Sequence, residues 1–267
     1  MTEVPADDNG TSGSRRALAV AAGVAAGWIA LWWLVVLVLK PSPDFLPSPA
    51  QVVERIALLA RASLGDGTLW LHVAMSLYRF LAGFALAVAV GIPLGILMGY
   101  FRVLDRIVTP IFEMLRPIPP IAWAPFAIIW FGGSLGSQAM VIFTAAFAPI
   151  LINSYRGVKM VEPSLVGAAR TLGASPQVVL LEVVLPASVP MLIAGVRIGL
   201  AAGWMALIAA EIVAGDGASS GLGYLILVGQ RTLQANLTIG AMLVIGVLGA
   251  AIDYGVRRLE RRVVTWQ

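Results

Sequence analysis

The chain has no cysteine, which excludes disulfides and thiolate metal sites. It has one histidine, His72, so a histidine-rich metal site or a Ser-His-Asp triad would hang on a single residue. His72 stands at the start of an apolar stretch, where an interfacial ring is the ordinary explanation. The only lysines are Lys40 and Lys159, neither preceded by glycine, so there is no phosphate-cradling P-loop and the chain cannot hydrolyse ATP alone. Charge is scarce: 12% of residues are charged against 59% hydrophobic. The apolar residues fall in several runs of about twenty, the length a helix needs to cross a hydrocarbon core. This composition describes an all-α, polytopic membrane protein with about six transmembrane helices. The formal net charge of +4 does not point to nucleic acid, because the positive side chains cluster beside the apolar runs.

Residues 1–14 are polar and cannot bury a core, so they read as a disordered cytoplasmic tail. Arg15-Arg16 precede an apolar run, Ala17 to Leu39, too long for a signal peptide and followed by no cleavage site. It reads as an uncleaved first span, and with its loop it occupies residues 15–45. Pro41 to Pro49 carries four prolines and should be extended. Ala50 to Ala62 has the pattern of a helix lying on the membrane surface. The second span is expected at Val73 to Tyr100, an amphipathic segment at Phe101 to Arg116, and a third span through Trp130 and Phe131. After a glycine turn come a fourth span, Gln138 to Ser154, a polar loop, Tyr155 to Leu185, and a fifth span, Pro186 to Val213. A short helix, Leu222 to Leu233, leads to the sixth, Leu237 to Val256, and residues 263–267 are a tail.

Six spans put both termini on one side. On the proposed cytoplasmic side lie twelve basic residues: Arg15, Arg16, Arg102, Arg106, Arg116, Arg156, Lys159, Arg170, Arg257, Arg258, Arg261 and Arg262. The other side has four, Lys40, Arg55, Arg61 and Arg231, while Arg79 and Arg197 fall inside spans. By the positive-inside rule both termini are cytoplasmic.

In the polar loop, Pro163 suits the first turn of a helix, Glu162 places charge at the positive end of its dipole, and Gly173 suits the left-handed residue that ends it. The helix is expected from Pro163 to Leu172, with Leu165, Ala168, Ala169 and Leu172 on one apolar face and a second helix from Ser175-Pro176 up to Pro186. The run Gly167-Ala168-Ala169-Arg170-Thr171-Leu172-Gly173-Ala174-Ser175, then Leu185-Pro186, closely resembles the EAA loop of ABC importer permeases. The likeness extends from about Leu46 to Arg262 as one permease domain with an EAA-like coupling loop at 155–185. Leu46-Pro47-Ser48-Pro49, Arg116-Pro117-Ile118-Pro119-Pro120 and Gly221-Leu222-Gly223-Tyr224-Leu225 are similar to the nitrate, sulfonate, taurine and bicarbonate branch. Gly167 departs from the family's glutamate.

The resemblance implies a type I importer permease fold in the inner membrane of a prokaryote. Its implied partners are a second permease copy, two cytoplasmic ATPase subunits and an external solute-binding protein. No cofactor is expected in this chain; ATP and Mg would sit on the ATPase. Pro163, Leu165, Gly167, Ala168, Ala169, Leu172 and Gly173 become the ATPase-coupling residues, and the cargo a small anion. The alternative function, a secondary transporter working without an ATPase, would usually show inverted repeats, and no second copy of the proline-rich opening or of the EAA-like loop is visible.

Gly91, Gly95 and Gly99, and Gly195, Gly199 and Gly203, recur every four residues and are read as helix-packing stripes. The opposite face of the fifth span presents Arg197, Leu200, Ala201, Trp204, Ile208 and Glu211 and is expected to be free. Arg197, Trp204, Ile208 and Glu211 are therefore candidates for the translocation pathway, together with Pro119, Pro120 and Trp123, where prolines must leave backbone carbonyls free. Structural readings stand beside these: Arg79 snorkelling or pairing with Glu211, Arg197 satisfied by carbonyls, and the prolines forming a strained re-entry without a transport role.

Overall fold

The computed structural model describes residues 9–214 and 220–263, and among them every long element is a helix. In chain order these are α1 (Asn9–Leu39), α2 (Pro49–Arg61), α3 (Leu69–Tyr100), α4 (Arg102–Leu115), α5 (Ala124–Phe131), α6 (Leu135–Lys159) and α7 (Pro163–Thr171). They are followed by α8 (Pro176–Ala214), α9 (Leu222–Arg231) and α10 (Ala235–Val263). The first helix begins at Asn9, inside the stretch expected to be a disordered tail, because a long apolar helix propagates outward once nucleated. The expectations for residues 1–8 and 264–267 lie outside the described residues.

The centre of the molecule is α6, held between α3 and α8. Gly83, Gly91, Gly95 and Gly99 of α3 face Ile142, Ile150, Ser154 and Val158 of α6 in turn, so these helices run parallel. A Cβ at Gly95 would lie 2.6 Å from the Ser154 Cβ and 2.7 Å from the Leu151 carbonyl oxygen. From the other side Gly195 meets Asn153, Gly199 meets Ile150 and Gly203 meets Ala146, in antiparallel order. Both stripes thus let backbones approach, the main source of helix adhesion where lipid supplies no hydrophobic drive.

Parallel packing of α3 and α6 requires the chain between them to return across the same layer. It does so in two pieces: α4 and the segment Pro120–Phe131 bend by 88° at the proline-rich break. The expected single third span is therefore corrected to a broken pair, since α5 has only eight residues and Pro117, Pro119 and Pro120 interrupt the helical ladder. Among the described residues five helices are long and apolar enough to cross a membrane, or six crossings when the bent pair counts as one.

The fifth span also departs from its expected form. Residues 176–214 form one helix of 39 residues, not a short helix followed by a span from Pro186. A π-helical run, Val179–Val184, widens the helix just ahead of Pro186, and the Leu185 N–H bonds to the Leu180 carbonyl. This wider turn absorbs the proline's missing donor without ending the helix.

Over the remaining face of α3 and α8 lies a core of Phe80, Trp204, Leu207, Leu222, Leu225 and Leu237, with Trp204 edge-on to Phe80 at 5.4 Å. α2 starts with a capping box, Ser48 and Gln51 each bonding the other's backbone N–H at 3.3 and 2.8 Å. It packs on α10, where Gly240 meets Ile56. By contrast α1 stands apart, and none of its span is buried; the Trp32 indole N–H donates to the Pro47 carbonyl at 3.1 Å.

Candidate functional site

α7 is a short helix with a sharply defined C-terminal end. Pro163 opens it after Glu162. At its other end Gly173 takes φ +85°, its N–H bonds to Arg170 O at 3.0 Å and the Ala174 N–H to Ala169 O at 3.0 Å. These two bonds form a Schellman cap, which satisfies the last carbonyls and fixes where the helix stops. The Ser175 hydroxyl then accepts from the Val178 N–H, and the Tyr100 hydroxyl at the end of α3 donates to Pro176 O at 2.8 Å.

The faces of α7 divide differently from the expected apolar stripe. Val166 and Ala169 turn inward onto Val158, Val179 and Val184, anchoring the helix to its own chain. Leu165, Gly167, Ala168 and Leu172 turn outward, with Leu172 88% exposed. Ala168 and Ala169 therefore serve opposite sides: the first faces solvent and the second is glue. Nothing lies within 4 Å of a Cβ placed at Gly167, so a side chain there would meet open space.

In the angle between α4 and α5, against α6, lies a cavity of about 470 Å³. Phe112, Trp123, Phe143 and Phe147 give it aromatic walls, Pro120 forms part of its edge, and Arg116 is a charged group at its margin. Pro120 and Trp123 are half-buried and Pro119 is exposed.

The candidate face of α8 is not free, and this expectation is corrected. Leu200 and Trp204 are buried, Ile208 packs on the same core, and Glu211 has no exposed surface. One helix wheel cannot reveal that α9 and α10 fold back over the face opposite the glycines. Arg197 has a counter-ion, Glu260 of α10, at 3.1 Å, with a third of its side chain exposed.

Glu211 and Arg79 pair at 2.9 Å inside the protein. Around them is a network linking three elements. The successive N–H groups of Gly221, Leu222 and Gly223, at the start of α9, donate to His72 Nδ1, Ser76 Oγ and Glu211 Oε2 at 2.9, 2.9 and 2.8 Å. Ser76 Oγ donates in turn to Glu211 at 2.8 Å, and Arg79 donates to Ser220 O at 2.7 Å. Because Nδ1 accepts, the His72 hydrogen sits on Nε2 and goes to Leu64 O at 2.8 Å. Gly221 has φ +129°, and a Cβ there would lie 2.6 Å from Glu211 Oε1.

His72 is thus a buried link, not an interfacial ring, and with Ser76 and Ser220 it was missed from sequence. A signal did exist: His72, Ser76 and Arg79 recur on one face of an otherwise apolar helix. Among the described residues no cluster of three or more His, Asp or Glu could hold a metal ion.

The chain has relatives of known family. Residues 91–265 match the model of the binding-protein-dependent transport system inner membrane component. The chain is 38% identical over 252 residues to the taurine transport system permease protein of Escherichia coli, covering 94% of this chain and 90% of that one. It is 37% identical over 206 residues to the bicarbonate transport system permease protein of Synechococcus elongatus, covering 77% and 73% of the two chains. In fold it is similar to a chain of the MetNI methionine ABC transporter solved in inward-facing conformations. That likeness has a TM-score of 0.60 and 24% identity over 73% of this chain and 94% of that one.

Proposed function

The chain belongs to the family of binding-protein-dependent transport inner membrane components and is an ABC importer permease, and we propose that two identical copies pair to carry a small oxyanion across the inner membrane. The solute is of the sulfonate, taurine, bicarbonate or nitrate type. This reading is supported by the taurine and bicarbonate transport named for the two relatives. Both termini lie in the cytoplasm, an orientation supported by the twelve-to-four division of basic residues. ATP and Mg are held by the partner ATPase, since this chain has no P-loop lysine.

The observation that carries the mechanism is the two-sided geometry of α7. A helix anchored inward by Val166 and Ala169 and offering Leu165, Ala168 and Leu172 outward can transmit displacement in either direction. Closure of the ATPase dimer on ATP pushes α7; α7 pulls on the start of α8, which packs along α6 for most of its length. The permease then alternates between outward and inward access. Pro119, Pro120 and Trp123 border the solute's route at the broken crossing, where irregular backbone is tolerated beside a cavity. Arg197, held by Glu260, ties α10 to α8.

The test separates the two alanines. Ala168→Arg leaves membrane insertion intact but loses ATPase association and ATP-driven uptake in reconstituted vesicles. Ala169→Arg, which strikes the chain's own cluster, lowers the yield of folded permease instead. Normal binding-protein-stimulated ATP hydrolysis by Ala168→Arg complexes contradicts the docking role.

A further inference from the structure

The seam between α5, α6 and α8 is walled by small side chains: Ala124 and Ala127, Val141 and Ala145, Ala206 and Ala210. At the end of this seam remote from α7 stands Gln138, 2% exposed, and neither its Nε2 nor its Oε1 has a hydrogen-bond partner. The crevice over it, closed also by Ile128 and Ala214, leaves no room for a water molecule. Solvent therefore cannot satisfy the amide in this arrangement. A buried amide with neither donor nor acceptor engaged is costly, and such groups are rare enough in folded proteins that each calls for an explanation.

The explanation lies in what closes the crevice. α5 is eight residues long and ends at Gly132, which has φ +66° and would meet nothing within 4 Å if given a Cβ. It is entered through a 3-10 turn after the proline break. Its own buried residues in the seam are two alanines, Ala124 and Ala127, so no large side chain of the helix has to be withdrawn from the seam for it to move. A short helix entered through a 3-10 turn, left through a left-handed glycine and seated in the seam by small side chains is the element that can leave.

We infer that Gln138 is a solute-contacting specificity residue, hidden while α5 lies against α6 and uncovered when α5 moves, its amide N–H groups then donating to an oxygen of the transported oxyanion. This rests on the anion reading above. A primary amide suits the task because it donates to an anion without placing a fixed charge in the seam, so the seam can close again when the solute has gone.

The experiment uses the whole transporter, with its ATPase and binding protein, in proteoliposomes. Gln138→Met keeps the side-chain length and removes the unsatisfied amide. The expected result is a higher melting temperature together with about tenfold slower uptake of taurine or bicarbonate, the effect of losing a hydrogen bond to a charged group. A fall in melting temperature, or uptake at the wild-type rate, overturns the inference.

Gln138→Cys gives the chain its only thiol, which a membrane-impermeant methanethiosulfonate reagent can report. It should be protected in one of the nucleotide-free and vanadate-trapped states and reactive in the other. Equal reactivity in both states overturns the inference. The melting and labelling readouts need no solute, so a wild-type transporter that takes up none of taurine, an alkanesulfonate, bicarbonate and nitrate contradicts the anion reading alone.

Discussion

Glu211 receives hydrogen bonds from Ser76, Arg79 and the Gly223 backbone while having no exposed surface. Removing its charge leaves the Arg79 guanidinium buried without a counter-ion. Glu211→Gln should therefore destabilise the permease by about 3–5 kcal/mol, the cost of breaking a buried pair from one side. Adding Arg79→Met should recover part of that loss, because no uncompensated charge then remains. Thermal unfolding of the purified single and double variants measures this coupling, and strictly additive losses would show that the pair does not act as a unit. The pairing itself was one of the readings available from sequence, since two opposite charges at similar depth in neighbouring spans have few other partners. The backbone half was not legible, because the Gly221 N–H reaches His72 across 149 positions and no local pattern encodes that contact.

The start of α7 was legible from Pro163, and its end, within a residue, from Gly173. Which alanine faces outward was not, because that depends on where α8 and the end of α6 sit. The proline-rich break was equally visible as a sequence feature, whereas its 88° angle is set by the need to return between two parallel helices. Pro186 misled in the other direction: a helix break was expected, and the π turn ahead of it carries the helix through. At this scale Gly167 is the informative position. Gly167→Glu meets open space, restores a better helix former and should stabilise α7 by about 0.5–1 kcal/mol. Assembly should be retained while basal and stimulated ATP hydrolysis change, because a new charge enters the outward face. Identical rates in the two proteins would show that this face does not touch the ATPase.

Taken as a whole, the molecule is a tight bundle around α6, with the outward face of α7 and the span of α1 among its uncovered surfaces. The helical class and the approximate number of crossings follow from apolar runs and could be read directly. The arrangement of α3 and α8 on either side of α6 could not, because a glycine stripe says that something packs closely without saying what. Coupling through α7 requires the ATPase to sit at one end of this bundle only. The absence of cysteine makes that directly measurable with single thiols at two far-apart, exposed leucines: Leu172 after α7, 88% exposed, and Leu233 between α9 and α10, 76% exposed. Each is replaced by Cys in the assembled transporter and treated with a short thiol-directed photocrosslinker. Docking through α7 predicts a permease–ATPase adduct from Leu172→Cys and none from Leu233→Cys. An ATPase adduct from Leu233→Cys with none from Leu172→Cys would contradict it.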